Sequence, residues 1–290
     1  MNGLLVLDKP SGMTSHDAVA IVRRVAGEKS IGHLGTLDPM ATGVLPLLLG
    51  RYTRLAQFFD QADKSYEGCI RFGFATDTFD CEGEATTAAQ PLTLSLSELT
   101  RLAEHFRGEM DQMPPVYSAK KINGVPAHKL ARAGAEVPVK PARIVIHDFR
   151  LLALADGEAT FTMKVSAGGY VRSVAHELGQ MAGCGAHLCA LRRTQAGAFT
   201  LDQAITIDEL KPLTPEAVEA RLAHPRTLLP EMPCVTVNEQ TAGRIRNGMQ
   251  VNLPEFSQAA MVKVFTTPTE LLAIVRRVAG TLMQPVVVMG

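Results

Sequence analysis

The stretch of residues 32–50 constrains this chain most, because it joins a loop rich in glycine and proline to an apolar segment. Asp38 lies in the loop, and Pro39 favours an extended backbone at the residue before it. The apolar residues 44–49 that follow predict a buried strand. The stretch therefore predicts a carboxylate held on a stiff loop above a buried strand. An Asp-Pro turn at the surface has the same composition and is the alternative.

Charge is distributed unevenly along the chain. The 290 residues include 29 basic and 29 acidic ones, so the net charge is zero, which argues against a uniformly basic nucleic-acid binder. Residues 118–143, however, hold six basic residues and one acidic residue, a local net charge of +5. Such a stripe can guide a polyanion onto one face of a protein. A solvated lysine-rich loop is the alternative.

Composition also limits the cofactors and the compartment. No stretch is long and apolar enough to cross a bilayer, and the first residues do not form a signal peptide, so we expect a cytoplasmic protein with no membrane contact. The five cysteines do not suggest a disulfide framework. Cys184 and Cys189 are close in sequence with His187 between them, but no second pair matches them, so we expect no metal site.

Hydrophobic periodicity predicts several strands. Residues 64–74 alternate in polarity, which indicates a half-buried strand with Tyr66 on its inward face. Residues 144–154 and 160–165 have the pattern of two strands of a hairpin. Residues 230–233 read Pro-Glu-Met-Pro and mark a domain boundary, after which short strands predominate.

The remaining elements are predicted from caps and breakers. Ser15 is a suitable N-cap for a helix that Gly27 ends, and Ser95 with Glu98 makes a capping box. We further expect helices over residues 52–62 and 170–181. Residues 190–199 are predicted to be a loop and a short strand.

Five motifs occur in an order that resembles the TruB family of tRNA pseudouridine synthases. The motifs are Lys9-Pro10-Ser11-Gly12-Met13-Thr14-Ser15, Gly32-His33-Leu34-Gly35-Thr36-Leu37-Asp38-Pro39-Met40-Ala41-Thr42-Gly43, Pro114-Pro115-Val116-Tyr117-Ser118-Ala119-Lys120-Lys121, Ser166-Ala167-Gly168-Gly169-Tyr170-Val171-Arg172 and Leu191-Arg192-Arg193-Thr194. The resemblance covers about the first two hundred residues closely, and the second motif is highly specific. The C-terminal sixty residues resemble the family only weakly.

The resemblance implies an α+β fold with a mixed, largely antiparallel central sheet flanked by helices, a thumb-like insertion, and a small β-rich C-terminal domain. It places the catalytic domain at residues 1–230, the RNA-binding thumb at about residues 114–143, and a PUA-like RNA-binding domain at residues 231–290. Residue 128 is histidine, where the family usually has tyrosine, and this puts the contribution of that tyrosine in doubt.

The implied activity is isomerisation of uridine 55 in the tRNA T-loop to pseudouridine, without a metal or cofactor. Asp38 would act either as a nucleophile at ribose C1′ or as the base that removes the 2′ proton, and the sequence does not separate these two routes. The family pattern makes Arg172 the counter-ion of Asp38. It makes Tyr66 the residue that stacks on the base and a candidate to take the C5 proton.

The resemblance also implies the residues that bind RNA. A uridine inside a folded loop must be flipped out to react. His33 matches the histidine that fills the vacated space, Tyr170 and Leu191 match the residues that line the uracil pocket, and Lys9 with Pro10 supports the loop beneath it. In the thumb, the resemblance assigns RNA binding to the basic residues Lys120, Lys121 and Arg132. The expected partner is the tRNA T-stem-loop, and we expect a monomer.

Two other functions are compatible with parts of this pattern. An RNA-binding or RNA-folding protein without catalysis could use the same surface, although it would not need a carboxylate facing an anionic ligand. A hydrolase acting on a nucleoside bond would need a second carboxylate near Asp38. Asp8 is a candidate for that second group.

Overall fold

The fold is given by a computed structural model that describes residues 1–118, 121–122, 125–126, 130, 138 and 140–289. The strands in these residues are β1 (Gly3–Lys9), β2 (Ile31–His33), β3 (Thr42–Leu49), β4 (Lys64–Phe72), β5 (Gly108–Gln112), β6 (Lys121–Ile122), β7 (Val125–Pro126), β8 (Ala142–Ala155), β9 (Glu158–Val165), β10 (Ala186–Ala196), β11 (Phe199–Thr200), β12 (Ile205–Thr206), β13 (Cys234–Thr236), β14 (Val251–Asn252), β15 (Met261–Phe265), β16 (Leu271–Ala279) and β17 (Leu282–Val288). The α-helices are α1 (Ser15–Ala26), α2 (Leu96–Ala103), α3 (Val171–Met181), α4 (Ile207–Leu210), α5 (Pro215–Glu219) and α6 (Glu239–Arg246).

The main sheet joins strands that are far apart in the sequence. Its strand order is β12-β1-β3-β10-β4-β9-β8-β5, with β2 added to β3 and β11 added to β10. Among the described strands of this main sheet, only the β1–β12 and β3–β10 pairs are parallel, and the other pairs are antiparallel. The expected α+β fold with a mixed, largely antiparallel sheet is confirmed. No helix within the described ranges is long and apolar enough to cross a membrane.

Strands β1 and β3 are buried on both faces. Leu5 and Leu47 pack with α1 on one face, whereas Leu4 and Leu48 lie in a second cluster on the other face. Strands covered on both faces read as continuous apolar runs rather than as alternating ones. This burial explains why the segment after Asp38 is uniformly hydrophobic.

The C-terminal residues form a second sheet with the order β13-β15-β16-β17-β14, in agreement with the expected β-rich region. Phe265 and Ile274 of this sheet share a core cluster with Leu4 of β1. The buried Lys263 donates to the Arg226 carbonyl at 2.9 Å, which ties the sheet to the segment before it. The boundary at residue 230 and the thumb at residues 114–143 stay predictions, and much of the thumb lies outside the described residues.

Three sequence expectations about local structure are wrong. The N-cap of α1 is Thr14, whose side chain accepts from the Asp17 amide, whereas Ser15 is the first helical residue. Gly50–Phe58 is a 3₁₀ helix in place of the α-helix expected over residues 52–62. Residues 190–196 belong to the long strand β10, because pairing with both β3 and β4 outweighs their weak local signal.

Gly43 marks the point where β3 meets β10. Its φ of +101° lies in the region that favours glycine, and it opposes Arg193 in the parallel pairing. A Cβ atom at this position would lie 2.2 Å from the Arg193 carbonyl oxygen. The glycine therefore permits the close approach of the two strands that carry the Asp38 loop and Leu191.

We expect Gly43→Ala to lower the free energy of unfolding by about 3 kcal/mol or more, because a backbone clash adds to the conformational strain. The matched control is Gly27→Ala. Gly27 has a φ of +63°, and nothing lies within 4 Å of the added Cβ, so this substitution should lower the free energy of unfolding by only about 1–2 kcal/mol. Urea denaturation measures both. Equal losses in the two variants would contradict the close-approach argument.

Candidate active site

The Asp38 loop lies between β2 and β3 and is held by residues near the start of the chain. The Ser15 hydroxyl accepts from the Leu37 amide at 2.9 Å and donates to the Leu37 carbonyl at 3.1 Å. The Gly12 amide donates to the Pro39 carbonyl at 3.0 Å. The backbone on both sides of Asp38 is thus fixed without using the carboxylate itself.

Lys9, the last residue of β1, lies fully buried beneath this loop. Its Nζ donates to the carbonyl oxygens of Pro10 at 2.8 Å, Met13 at 2.7 Å and Pro39 at 3.2 Å, so each ammonium hydrogen has an acceptor. Burial lowers the pKa of Lys9 to about 8, and the Asp38 carboxylate opposes this shift. Neither Lys9 nor Pro10 lines the pocket. The hydrogen bonds of Lys9 instead hold the backbone of the Asp38 loop in place.

Arg172 forms the central ion pair of the site. It is the second residue of α3, and its side chain is 5% exposed. Its Nε lies 2.9 Å from Asp38 Oδ2, and its Nη2 donates to Asp38 Oδ1 at 3.0 Å. The other contacts of the guanidinium are with the Thr78 carbonyl at 2.9 Å, the Tyr117 carbonyl at 3.0 Å and Asp80 Oδ2 at 3.3 Å. The planar guanidinium therefore bridges two carboxylates.

The loop before α2 holds Asp80 behind Arg172. Asp80 is 3% exposed, and its Oδ1 accepts from the Thr78 hydroxyl at 2.6 Å and the Glu82 amide at 3.1 Å. Phe79 adopts a φ of +65°, uncommon for a residue with a side chain, and its ring stacks on His176 at 3.8 Å. These contacts fix the Asp80 carboxylate beside the Arg172 guanidinium.

Desolvation and ion pairing act on Asp38 in opposite directions. Burial raises the pKa of Asp38, Arg172 opposes that rise, and the nearby Asp80 carboxylate adds to it. The Asp38 side chain keeps 32% of its surface exposed, on the pocket side. A bidentate contact with arginine favours the ionised carboxylate. The Asp38 carboxylate thus has a raised pKa, an arginine partner that favours its ionised form, and a side open to a ligand.

A pocket of about 290 Å³ opens beside Asp38, near the lower end of the ~300–1,000 Å³ typical of ligand sites. Of the site residues expected from the sequence, Asp38, Tyr66, Tyr170, Arg172 and Leu191 line it. The volume suits one nucleobase-sized group between aromatic and aliphatic side chains.

Separate elements position the apolar walls of this pocket. Tyr66 on β4 and Leu191 on β10 are each 8% exposed, and these two strands are paired. The buried Gln112 side chain holds the Tyr170 backbone, because it donates to the Tyr170 carbonyl at 3.0 Å and accepts from the Tyr170 amide at 2.8 Å. Burial raises the pKa of the Tyr170 hydroxyl.

Two cations complete the pocket wall. Arg193 is 1% exposed and donates to the carbonyls of Val44 at 2.7 Å and Gly35 at 3.1 Å. Lys64 donates to the Ala62 carbonyl at 2.7 Å, and burial together with Arg193 lowers the pKa of Lys64. Neither side chain is ion-paired with a carboxylate in the part of the chain that the structure describes. The wall therefore carries positive charge that an anionic ligand would neutralise.

The remaining predicted residues lie outside the pocket wall or outside the described residues. His33 ends β2, and its Nδ1 is buried without a hydrogen-bond partner among the described residues. Burial lowers the pKa of His33, which favours the neutral imidazole. Lys121 begins β6, of which only the backbone is described. Lys120 and Arg132, together with His128, lie outside the described residues.

Asp8 is not a second carboxylate of the pocket. Both of its oxygens accept from Arg192, at 3.1 and 2.7 Å. Asp38 is therefore the only carboxylate that lines the pocket within the described residues. This arrangement disfavours the hydrolase that needs two carboxylates.

Sequence reasoning missed Asp80, Lys64, Arg193 and Gln112 as parts of the site. Asp80 lies in a segment that reads as an acidic loop, and only its contact with a residue 92 positions later gives it a role. Spacing in the sequence indicates only weakly that Lys64 and Arg193 belong to the pocket. Lys64 lies two residues from Tyr66, and Arg193 lies two residues from Leu191.

Two family models match consecutive parts of the chain. The family model described as "TruB family pseudouridylate synthase (N terminal domain)" matches residues 23–171. The model described as "tRNA pseudouridylate synthase B C-terminal domain" matches residues 172–230. The chain belongs to the TruB family of pseudouridine synthases. It is accordingly an isomerase.

Individual relatives extend the similarity over the whole chain. A protein named tRNA pseudouridine synthase B from Solibacter usitatus (strain Ellin6076) is 46% identical over 293 residues, covering 100% of both chains. The protein of the same name from Syntrophotalea carbinolica is 42% identical and covers 86% of this chain and 81% of its own length.

Solved structures agree in fold. The structure titled "Crystal structure of the archaeal box H/ACA sRNP Nop10-Cbf5 complex" matches with a TM-score of 0.70 at 22% identity, covering 99% of this chain and 86% of that chain. At this identity the match shows a shared fold alone.

We expect Asp80→Asn to lower turnover about 10²-fold while RNA affinity changes little, because Arg172 loses a charged partner and no longer orients Asp38. The matched control is Asp77→Asn in the same loop, where the carboxylate is exposed and accepts from the Glu84 amide. Single-turnover kinetics and RNA binding measure the two effects. Wild-type turnover in Asp80→Asn would contradict the bridging role of Arg172.

If Asp38 is the reacting carboxylate that the sequence predicts, it must be ionised, and the acid limb of the pH–rate profile should lie above the usual range of an aspartate because burial raises its pKa. Arg172 lowers that pKa, so Arg172→Lys, which loses the bidentate contact, should move the limb to higher pH. Arg150→Lys, at an exposed ion pair with Asp148, is the control and should leave the limb in place. Superimposable limbs in all three proteins would contradict the assignment.

Proposed function

We propose that this enzyme isomerises uridine 55 in the T-loop of tRNA, with Asp38 as the group that reacts at the ribose. Formation of pseudouridine in tRNA follows from membership of the family, whereas the target position, the T-stem-loop and the role of each residue are the proposal. The observation that carries it is one carboxylate in a base-sized pocket, paired with a buried arginine.

The chemistry needs one carboxylate because no group enters or leaves the nucleotide except protons. In the first route, an Asp38 oxygen bonds to C1′ as the C1′–N1 bond breaks and uracil takes the electron pair. The uracil then turns, C5 displaces Asp38 from C1′, and the C5 proton is lost while N1 gains one. In the second route, Asp38 takes the 2′ proton and uracil leaves with the electron pair of the C1′–N1 bond to give a glycal. C5 then bonds to C1′ as Asp38 returns the proton to C2′, and the C5 proton is lost while N1 gains one.

The pocket walls support base flipping. Unstacking a base costs a few kcal/mol, and contacts with the flipped base must offset that cost. Tyr66, Tyr170 and Leu191 offer aromatic and aliphatic surface for a uracil ring. The lowered pKa of His33 suits a neutral ring that stacks in the vacated space of the RNA.

Charge in and around the pocket supports an RNA ligand. Lys64 on the pocket wall is partly exposed and presents a cationic group that a backbone phosphate would neutralise, and the buried Arg193 adds positive charge behind it. We assign Lys120, Lys121 and Arg132 of the thumb to further phosphate contacts, on the basis of the local charge of +5 and the family motif. We also propose that the enzyme acts as a monomer, since one chain supplies the whole pocket wall.

Release of tritium from C5-labelled uridine in a T-stem-loop tests this function. Wild-type enzyme should release the label, and Asp38→Asn should not, while RNA binding stays within a few-fold of wild type. The matched control is Asp60→Asn, an exposed carboxylate near β4, which should release tritium normally. Normal release by Asp38→Asn would overturn the catalytic role of Asp38.

A second substrate tests the target position. A T-stem-loop labelled only at a uridine other than position 55 should give no release with the active enzyme. Binding without release by the wild-type enzyme on the first substrate would favour the RNA-binding alternative.

A further inference from the structure

Two cysteines and a glutamate cluster on the face of the main sheet opposite the uracil pocket. Tyr66 and Ile70 on β4 belong to the buried core on the pocket side. Side chains alternate along a strand, so Cys69 lies on the other face. In the pairing of β4 with β9, Glu158 opposes Arg71, two residues beyond Cys69 on that same face.

A β-bulge brings the second cysteine to this face. Leu188 opposes Ile70 and Ala190 opposes Cys69, so Cys189 is an extra residue in β10. Leu188 is buried in the core, whereas Cys189 is half-buried and Ala190 is exposed. The bulge therefore turns two consecutive side chains away from the core and places the thiol of Cys189 beside that of Cys69.

The ligand atoms are already close together. The two Sγ atoms and a carboxylate oxygen of Glu158 all lie within 4.8 Å of one another. Cys69 Sγ lies 3.7 Å from Glu158 Oε2, and Cys189 Sγ lies 3.1 Å from the Cys69 carbonyl. The other oxygen of Glu158 accepts from Arg71 Nη1 at 3.3 Å. Arg71 thus orients the carboxylate so that its other oxygen faces the Cys69 thiol, whose proton an ion would replace.

We propose that Cys69, Cys189 and Glu158 bind a zinc ion, with water as the fourth ligand. Zinc takes thiolate sulfur at about 2.3 Å and carboxylate oxygen at about 2.0–2.2 Å in tetrahedral geometry. Those bond lengths require sulfur–oxygen separations of roughly 3.5 Å, close to the observed 3.7 Å between Cys69 and Glu158. Binding releases both thiol protons to solvent and leaves a net charge of −1, which Arg71 balances.

The zinc site would join three adjacent strands of the catalytic sheet. Cys69, Glu158 and Cys189 come from β4, β9 and β10, the strands at the centre of the sheet order. Two of these strands carry Tyr66 and Leu191 on the opposite face. An ion that binds only the folded chain stabilises it by mass action, so zinc should raise the melting temperature of the enzyme.

Titration of the reduced full-length enzyme with Co²⁺ and then Zn²⁺ tests the proposal. Co²⁺ should give sulfur-to-metal charge-transfer absorption that Zn²⁺ abolishes, and native mass spectrometry should find one zinc per chain. Cys69→Ser, Cys189→Ser and Glu158→Gln should each weaken zinc binding roughly tenfold or more. Glu158→Gln changes a half-exposed side chain and keeps the test valid if a cysteine variant fails to fold.

The matched controls are Cys81→Ser and Glu67→Gln, an exposed thiol and an exposed carboxylate outside the cluster, which should bind zinc as the wild type does. Wild-type affinity in the Cys69→Ser/Cys189→Ser double variant would overturn the proposal. A reduced enzyme that binds no zinc, but forms a Cys69–Cys189 disulfide with oxidised glutathione, would overturn it as well and identify a redox pair.

Discussion

The buried ion pair between Arg172 and Asp38 is the interaction on which the rest of the site depends. Removing two charges from water is costly, and the cost is offset only when geometry is good and the remaining donors are satisfied. Here the guanidinium reaches two carboxylates and two backbone carbonyls. The Asp80 loop, including the strained Phe79, is therefore part of the active site although it does not line the pocket.

The main sheet supplies the rigidity that this ion pair requires. Asp38 precedes β3, and Arg172 is the second residue of α3, 134 residues later in the chain. The β3–β10 junction at Gly43 and the buried Lys9 fix the loop from one side, whereas Gln112 fixes the backbone before α3 from the other. A carboxylate whose neighbours are held in this way needs little reorganisation, as the catalytic role proposed for Asp38 requires.

Local signals predicted much of the fold correctly. The alternation in residues 64–74, the hairpin pattern and the Ser95 capping box correspond to β4, β8–β9 and the start of α2. The prediction failed for β10, because its side chains alternate irregularly around two bulges. Pairing with neighbouring strands stabilises such a strand, and no local pattern encodes that pairing.

The sequence by itself determined the family and predicted the ion pair of Asp38 with Arg172, because those residues lie in short motifs whose glycines and prolines fix the local backbone. Only the tertiary structure decided that Asp80 completes the ion pair, that Lys64 and Arg193 line the pocket, and that Cys189 neighbours Cys69 rather than Cys184. Asp80 and Arg172 lie more than ninety positions apart in the chain, and so do Cys69 and Cys189. Lys64 and Arg193 reach the pocket because their strands, β4 and β10, are paired. Strand register and loop packing bring such residues together, and neither can be read from local sequence.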